Sequence, residues 1–237
     1  MKNWLAETEN FWTTDGNYKR AFELEKIPIR EDYVYCHLTP MNALSGQGDP
    51  IVLHPKAGRV TVSCDLAFMM GKTGKGIAAE DALDYVGTYR IMAAFKDWYW
   101  LDNTPPPIHN PEQMQRNHWH WLAKYSRWTD GFNCLSEANA TPLELPDPYH
   151  CRMRIAVDSV GEVITNSADY VHHVPAILAH MSRTITFLRG TVFSLGQAGE
   201  VVTIPANKRL PQGTMVHAEI EGIGQMSTPI IDQREIS

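Results

Sequence analysis

Residues 60–97 limit the folds open to this chain more than any other stretch. They read VTVSCDLAFMMGK, a short basic turn with glycines, then AAEDALDYV, then GTYRIMAAFKD. Alternation at Val60, Val62 and Cys64 passes into a continuous apolar run, the pattern of a strand buried on both faces. Ala79, Ala82, Leu83 and Val86 stand at i, i+3, i+4 and i+7, which predicts a helix over Ala78–Val86. Glu80 and Asp81 lie in its first turn, where the helix dipole favours negative charge. GTYRIMAAF then reads as the return strand, so the block is strand, turn, helix, strand.

Around this block the chain is mostly β. YVYCHL and IVLHP are strand candidates, separated by TPMNALSGQGDP, whose Pro, Asn and Gly residues mark turns. CRMRIAVDSVGEVIT predicts a hairpin around Ser159–Gly161, GTVFSLG a further strand, and LPQGTMVHAEIEGIGQMSTPI a last hairpin turning at Gly222–Gly224. Val174–Phe187 predicts an amphipathic helix with Pro175 in its permitted first turn. Many strands, few helices and no internal repeat give an α+β, β-rich domain. Residues 1–33, polar with interspersed aromatics and a helix candidate from Tyr18 to Glu25, read as a lead-in packing on a core domain of residues 34–237. Within that core, residues 98–128 break the rhythm. Pro105–Pro107 rule out helix or central strand, a short helix can start at Pro111, and five of the chain's seven tryptophans fall here. This segment reads as an inserted lid.

Composition excludes several classes of function. The net charge is −6 with no basic run, which argues against nucleic acid, a ligand bound through clustered Lys and Arg. No window approaches the roughly 20 apolar residues of a membrane span, and the mixed, acidic start lacks a signal-peptide core. Cys36, Cys64, Cys134 and Cys151 show no metal-binding spacing and read as buried thiols. A cytoplasmic location is the expectation.

Four segments, in order from Thr39 to Ile230, resemble the fumarylacetoacetate hydrolase family: TPMNALSGQGDPIVLHP, DLAFMMGKTGKGIAAEDALDYVGTY, LPDPYHCRMRIAVDSVGEVITNSADYVHHVPAILAHMS and HAEIEGIGQMSTPI. The resemblance implies a mixed β-roll, usually dimeric, acting on 2-oxo or 1,3-dicarbonyl acids. It also implies carboxylates holding Mg²⁺, Mn²⁺ or Ca²⁺, hard cations that suit oxygen ligands and stabilise an enolate. The chain departs from that pattern at the cation. Of the family's Glu-x-Glu pair, Ser63 takes the first place and Asp65 the second, and the third carboxylate aligns with Ala94. The family lysine falls on Arg127, the threonine of a TGT-like turn near Leu195-Gly196-Gln197, and the N-terminal histidine on Ala21. No metal ligand set is therefore expected, and Mg²⁺ or Mn²⁺ would bind only if replacement ligands exist.

Candidate site residues follow. Asp65 is a remnant ligand or a general base. Arg127 presents a planar fork suited to a substrate carboxylate, with Asp130 as a possible ion-pair partner. His118 and His120, at i and i+2, cannot share a helical face but are candidate acids or bases if extended. Lys96 is a candidate Schiff-base or enolate-stabilising lysine. Trp98, Trp100, Trp119, Trp121 and Trp128 offer flat apolar walls for a ligand, or pack the lid, or form a dimer seam. Gln197 is a candidate substrate contact.

Two functions remain open on the sequence. One is an enzyme on a 2-oxo or 1,3-dicarbonyl acid, aromatic-derived or from natural-product metabolism. It would work through an enol or enolate by C–C hydrolysis, decarboxylation, or isomerisation and cyclisation, with weakened or lost metal dependence. The other is a non-catalytic member, a ligand-binding protein or a pseudoenzyme subunit. The expected partners are a small carboxylic or dicarbonyl molecule and a second chain, as a homodimer or with a paralogue.

Overall fold

A computed structural model of the chain describes residues 7–20, 23, 33–104 and 121–235. Its spine is the antiparallel pair β5 (Val60–Met70) and β6 (Val86–Asp97), in register from Val60↔Asp97 to Met69↔Thr88. The flanking strands are β1 (Phe11–Thr14), β2 (Cys36–Thr39), β3 (Leu44–Gly46), β7 (Asn133–Ala140), β10 (Val192–Gln197) and β11 (Val202–Ile204). They build one sheet in the order β2-β1-β10-β5-β6-β7-β3, with β11 also paired to β5. A second sheet runs β4-β13-β12-β8-β9, from β4 (Ile51–Leu53), β8 (Arg152–Val157), β9 (Gly161–Asn166), β12 (Met215–Ile220) and β13 (Gly224–Asp232). Both sheets are mixed: β1∥β10, β3∥β7 and β13∥β4 are parallel pairs among antiparallel ones. This is the β-rich α+β architecture expected.

The main core lies between the sheets. Alternate side chains of β5, Val60, Val62, Cys64, Leu66, Phe68 and Met70, meet Tyr89, Ile91, Ala93 and Phe95 of β6 and Val216, Ala218 and Ile220 of β12. The other side chains of β5, Thr61, Ser63, Asp65 and Ala67, face away from the second sheet yet are also buried. The reading of β5 as covered on both faces therefore holds.

Three expected elements differ. The predicted helix Ala78–Val86 is only a 3₁₀ turn, Ala82–Tyr85, and Val86 already begins β6. The preceding loop is held extended, since Gly76 N–H and Ile77 N–H bond the carbonyl and hydroxyl of Ser182 and Gly74 pairs with Phe187. Too few residues remain for a helix with a costly nucleus. The predicted helix Val174–Phe187 ends at Met181, where Ser182 takes up those bonds and Phe187 is drawn into its bridge with Gly74. Inside the expected lead-in, Phe11–Thr14 is a strand of the large sheet, flanked on both sides. The hairpins β8–β9 and β12–β13 turn where the sequence placed them.

Within the expected lid, Tyr99–Asn103 is a short helix and residues 121–125 are helical. Residues 105–120 lie outside the described residues, as does most of the Tyr18–Glu25 helix candidate. Among the described residues no helix is long and apolar enough to cross a membrane.

Candidate active site

Strand register decides which side chains share a face, because residues paired across a ladder point the same way. On the outer face of the large sheet this brings together Thr61, Ser63 and Asp65 of β5, Met92, Ala94 and Lys96 of β6, Asn133 of β7, Ser194 of β10, and Thr13 and His37 of β1 and β2. The lower half of the face is apolar: Phe11, Leu44, Ala67, Met92, Ala94, Leu135 and Val192 form a second buried cluster. The polar half is the candidate site.

A bulge in β10 sharpens it. Ser194 stands opposite Ala67, but Gln197 stands opposite Asp65, so one extra residue is inserted. Gly196 takes up the strain at φ +78, and a Cβ there would lie 2.7 Å from the Thr14 carbonyl oxygen, so only glycine fits. The buried Tyr170 hydroxyl fills the gap in the ladder, accepting from Leu66 N–H at 3.0 Å and donating to Gly196 O at 2.8 Å. Both Ser194 Oγ and the Gln197 amide thereby reach the site face.

Asp65 is fully buried. Ser63 Oγ donates to its Oδ1 at 2.6 Å, and Ser194 Oγ and Arg127 Nη2 donate to its Oδ2, each at 2.8 Å. Arg127, 2% exposed, arrives from the segment before β7. Asn133 Oδ1 accepts from its Nε and Nη2 at 3.2 and 3.0 Å, while Asn133 Nδ2 donates to the carbonyls of Ala43 and Arg127 itself. Arg127 Nη1 makes no hydrogen bond among the described residues. The expected partner, Asp130, instead bonds Asn42. A charge as buried as Arg127 needs a buried counter-charge, and Asp65 supplies it where the surface carboxylate would not.

Lys96 stands on the same face, partly buried, and donates to Gln197 Oε1 at 3.2 Å. Burial, reinforced by the Arg127 charge, lowers its pKa to about 8. Gln197 Nε2 in turn donates to Tyr18 Oη and Gly199 O. Trp98, whose Nε1 donates to Thr61 Oγ1 at 2.8 Å, has the Lys96 ammonium 5.9 Å and the Arg59 guanidinium 5.0 Å from its ring centre. Next in sequence, Asp97 points the other way and ties His54, Gly58 N–H and Tyr99 N–H together.

Beyond β1, Asp15 Oδ2 lies 2.9 Å from His37 Nδ1 and 4.0 Å from Lys124 Nζ. Burial pushes the Asp15 carboxyl up, but His37, Lys96 and Lys124 together hold it below the usual value. Trp128, adjacent to Arg127 in the chain, packs at 6.5 Å from the His37 ring. Trp100 and Trp121 are each 57% exposed and wall nothing within the described residues. His118, His120 and Trp119 lie outside the described residues.

So Asp65, Arg127, Lys96, Gln197, Trp98 and Trp128 converge from four separate segments. Sequence reasoning missed Asn133, Ser194, Asp15 and His37. No local pattern marks them, because pairing between strands distant in sequence carries them to the site.

The described residues do not make a divalent-cation cage. Ser63 and Ala94 stand directly opposite each other where the family pattern has carboxylates, and the oxygens of Asp65 are taken by two hydroxyls and a guanidinium. Among the described residues no three His, Cys, Asp or Glu side chains converge on a common point.

The chain matches the fumarylacetoacetate (FAA) hydrolase C-terminal family over residues 10–231. It belongs to the fumarylacetoacetate hydrolase family. Among curated relatives, the mitochondrial oxaloacetate tautomerase fahd2 of Xenopus laevis is 29% identical over 195 residues, which cover 80% of this chain and 56% of that protein. An uncharacterized protein of Pyrococcus horikoshii is 26% identical, covering 93% of this chain and 87% of its own length. The 4-hydroxyphenylacetate degradation bifunctional isomerase/decarboxylase of Escherichia coli is 24% identical, covering 90% of this chain and 44% of its own. Among solved structures, a 5-carboxymethyl-2-hydroxymuconate delta-isomerase from Mycobacterium smegmatis superposes with TM-score 0.71 at 22% identity, covering 97% of this chain and 80% of that one. A maleylpyruvate hydrolase from Sphingobium sp. SYK-6, in complex with manganese(II) and pyruvate, superposes at 0.69 with 21% identity, covering 94% and 70%. At these identities the structures establish the fold. The family's EIEGIG-type signature, residues 219–224, closes β12 and its turn on the second sheet, beside an open cleft lined by Arg152, Glu219 and Glu221.

Proposed function

We infer that this protein is an enzyme acting on a 2-oxo or 1,3-dicarbonyl acid through its enol or enolate, with side-chain cations in the role a divalent ion fills in relatives. One observation carries the reading. Arg127 is driven into the sheet face beside Asp65, and its Nη1 makes no hydrogen bond among the described residues. A free guanidinium donor in a buried setting suits the carboxylate and C2 oxygen of a 2-oxo acid, because planar N–H pairs match such oxygens and a low local dielectric strengthens the contact. The names of the relatives, a tautomerase of oxaloacetate, an isomerase/decarboxylase and a maleylpyruvate hydrolase, support the same substrate class.

In this reading Asp65 is an anchor. Its lone pairs are engaged by Ser63, Ser194 and Arg127, so it orients the guanidinium rather than moving protons. Lys96 moves the proton. With a pKa of about 8, the amine is neutral often enough to accept the proton from C3, and the ammonium is acidic enough to return it. As the C3–H bond breaks, its electron pair forms C2=C3 and charge moves to the C2 oxygen, which Arg127 Nη1 holds. Reprotonation at C3 gives exchange and protonation at oxygen gives the enol; for a 3-carboxylate the enolate can form instead when the C3–CO₂ bond gives up its pair and CO₂ leaves, after which the Lys96 ammonium protonates C3.

Deuterium exchange at C3 of oxaloacetate and of acetylpyruvate, followed by NMR in D₂O with and without EDTA, tests this. Catalysed exchange that survives the chelator is expected. Exchange that vanishes with EDTA and returns with Mn²⁺ would overturn the side-chain reading, and no exchange on any 2-oxo acid would favour a non-catalytic role.

A further inference from the structure

Asn133 opens β7 on the site face and is fully buried, yet the proposed chemistry gives it no part. Register fixes its place: Ala94 of β6 stands opposite it, and Ser63 of β5 stands opposite Ala94. Its amide makes four hydrogen bonds. Nδ2 donates to Ala43 O and Arg127 O, each at 3.0 Å, and those carbonyls can only accept. The amide therefore cannot be turned over. Its Oδ1 must face the guanidinium, where it takes Nε at 3.2 Å and Nη2 at 3.0 Å. The other Nη2 N–H goes to Asp65 Oδ2, and Met92 Sδ only grazes Nη2 at 4.0 Å. Of the five N–H donors of an arginine, those left over here are both on Nη1. The segment between the two residues is tied down as well. Gly131 N–H bonds Asn42 O, Ser45 Oγ donates to Gly131 O, and Asn42 also holds Asp130.

We propose that Asn133 is the positioning residue of the site: it turns the Arg127 guanidinium so that Nη1 alone faces a bound 2-oxo acid, and it does so without adding negative charge. The proposal rests on the reading of Arg127 given above. One amide grips both the backbone carbonyl and the side-chain fork of Arg127, so neither can move without the other. Asp65 already supplies the one counter-charge that the buried cation needs. A carboxylate at position 133 could accept from the same fork, but it would set the guanidinium between two negative charges and repel an anionic ligand. An apolar side chain there would leave the fork to swing about Asp65, with Nη1 no longer aimed. A neutral acceptor that cannot flip meets both demands.

Asn133→Asp separates orientation from charge, because the new acid is a neutral near-isostere of the amide when protonated and a second negative charge when ionised. Two carboxylates sharing one guanidinium raise the pKa of one of them, which brings that change into reach. Calorimetric binding of pyruvate at about pH 5 and about pH 7, with urea unfolding to establish that each variant is folded, tests the role without requiring turnover. Wild type is expected to bind pyruvate with similar affinity at both. Asn133→Asp should bind about 10-fold or more weakly near neutrality and recover most of that loss in acid, as for a charge-assisted contact. Asn133→Leu, or Asn133→Ser where the leucine variant does not fold, should be weak at both. An equal loss at both pH values in Asn133→Asp, or wild-type affinity in the folded leucine or serine variant, overturns the positioning role while leaving the 2-oxo acid reading standing. Binding of neither pyruvate nor 2-oxobutyrate by wild type sinks that reading, and the positioning role with it.

Discussion

The two faces of β5 differ sharply although they belong to one strand. Val60, Val62, Cys64, Leu66, Phe68 and Met70 look into the core between the sheets, in an apolar cluster with side chains of β6, β10 and β12. Thr61, Ser63 and Asp65, also buried, look the other way and are held by hydroxyls, an indole N–H and a guanidinium. The comparison teaches that burial does not separate structure from chemistry here. The inner face is satisfied by contact with carbon, whereas the outer face needs a partner for every polar atom.

Breaking the outer face at its centre should have the largest effect. Arg127→Met leaves Asp65 buried and uncompensated, so a loss of about 3–5 kcal/mol in urea unfolding is expected, with activity down by about 10³-fold or more. Adding Asp65→Leu should recover most of the stability and none of the activity. Recovery of both would show the pair to be structural only. Leu66→Ala, one residue from Asp65 but on the inner face, should cost about 2–5 kcal/mol while kcat/KM stays near wild type once the variant is folded. A rate loss matching that of Arg127→Met would mean the two faces are not independent.

Lys96→Met should lower kcat by about 100-fold with little change in unfolding at neutral pH. In wild type, kcat should rise with pH, pass half its maximum near pH 8 as the amine loses its proton, and level off about one to two pH units higher. The sign for stability follows from the same shift. Between pH 8 and the ordinary value of 10.5, the unfolded chain holds a proton that native Lys96 has released, so stability gains with rising pH. The difference between wild type and Lys96→Met across that window measures it. The smallest effect is expected at the seam of the two faces. Tyr170→Phe removes the hydroxyl that bridges Leu66 N–H and Gly196 O, costing about 1–3 kcal/mol. It should also loosen Gln197 beside Lys96, seen as a rise in KM rather than a fall in kcat.

Local chemistry made some of this legible from residues alone. The alternation of β5, the two hairpin turns and Pro175 at a helix start are short-range signals, and each stands in the structure. The helix expected over Ala78–Val86 failed because Ser182, a residue about a hundred positions away, captures the loop before it. Asp65 and Arg127 stood out through their places in the family resemblance, and Lys96 as a lysine at the end of the return strand. That Arg127 pairs with Asp65 and not with Asp130 was not legible, since sequence proximity favours the pair that burial does not need.

The sequence by itself determined the strand pattern, the family and the loss of carboxylates at positions 63 and 94, because side-chain period and residue identity are local properties. Only the tertiary structure decided that Asp65, Arg127, Lys96, Asp15 and His37 share one surface. They come from five segments, and no segment encodes the register at which it meets the next. That register is set when the whole sheet buries both faces at once, and a shift of one residue would turn every one of these groups to the opposite side.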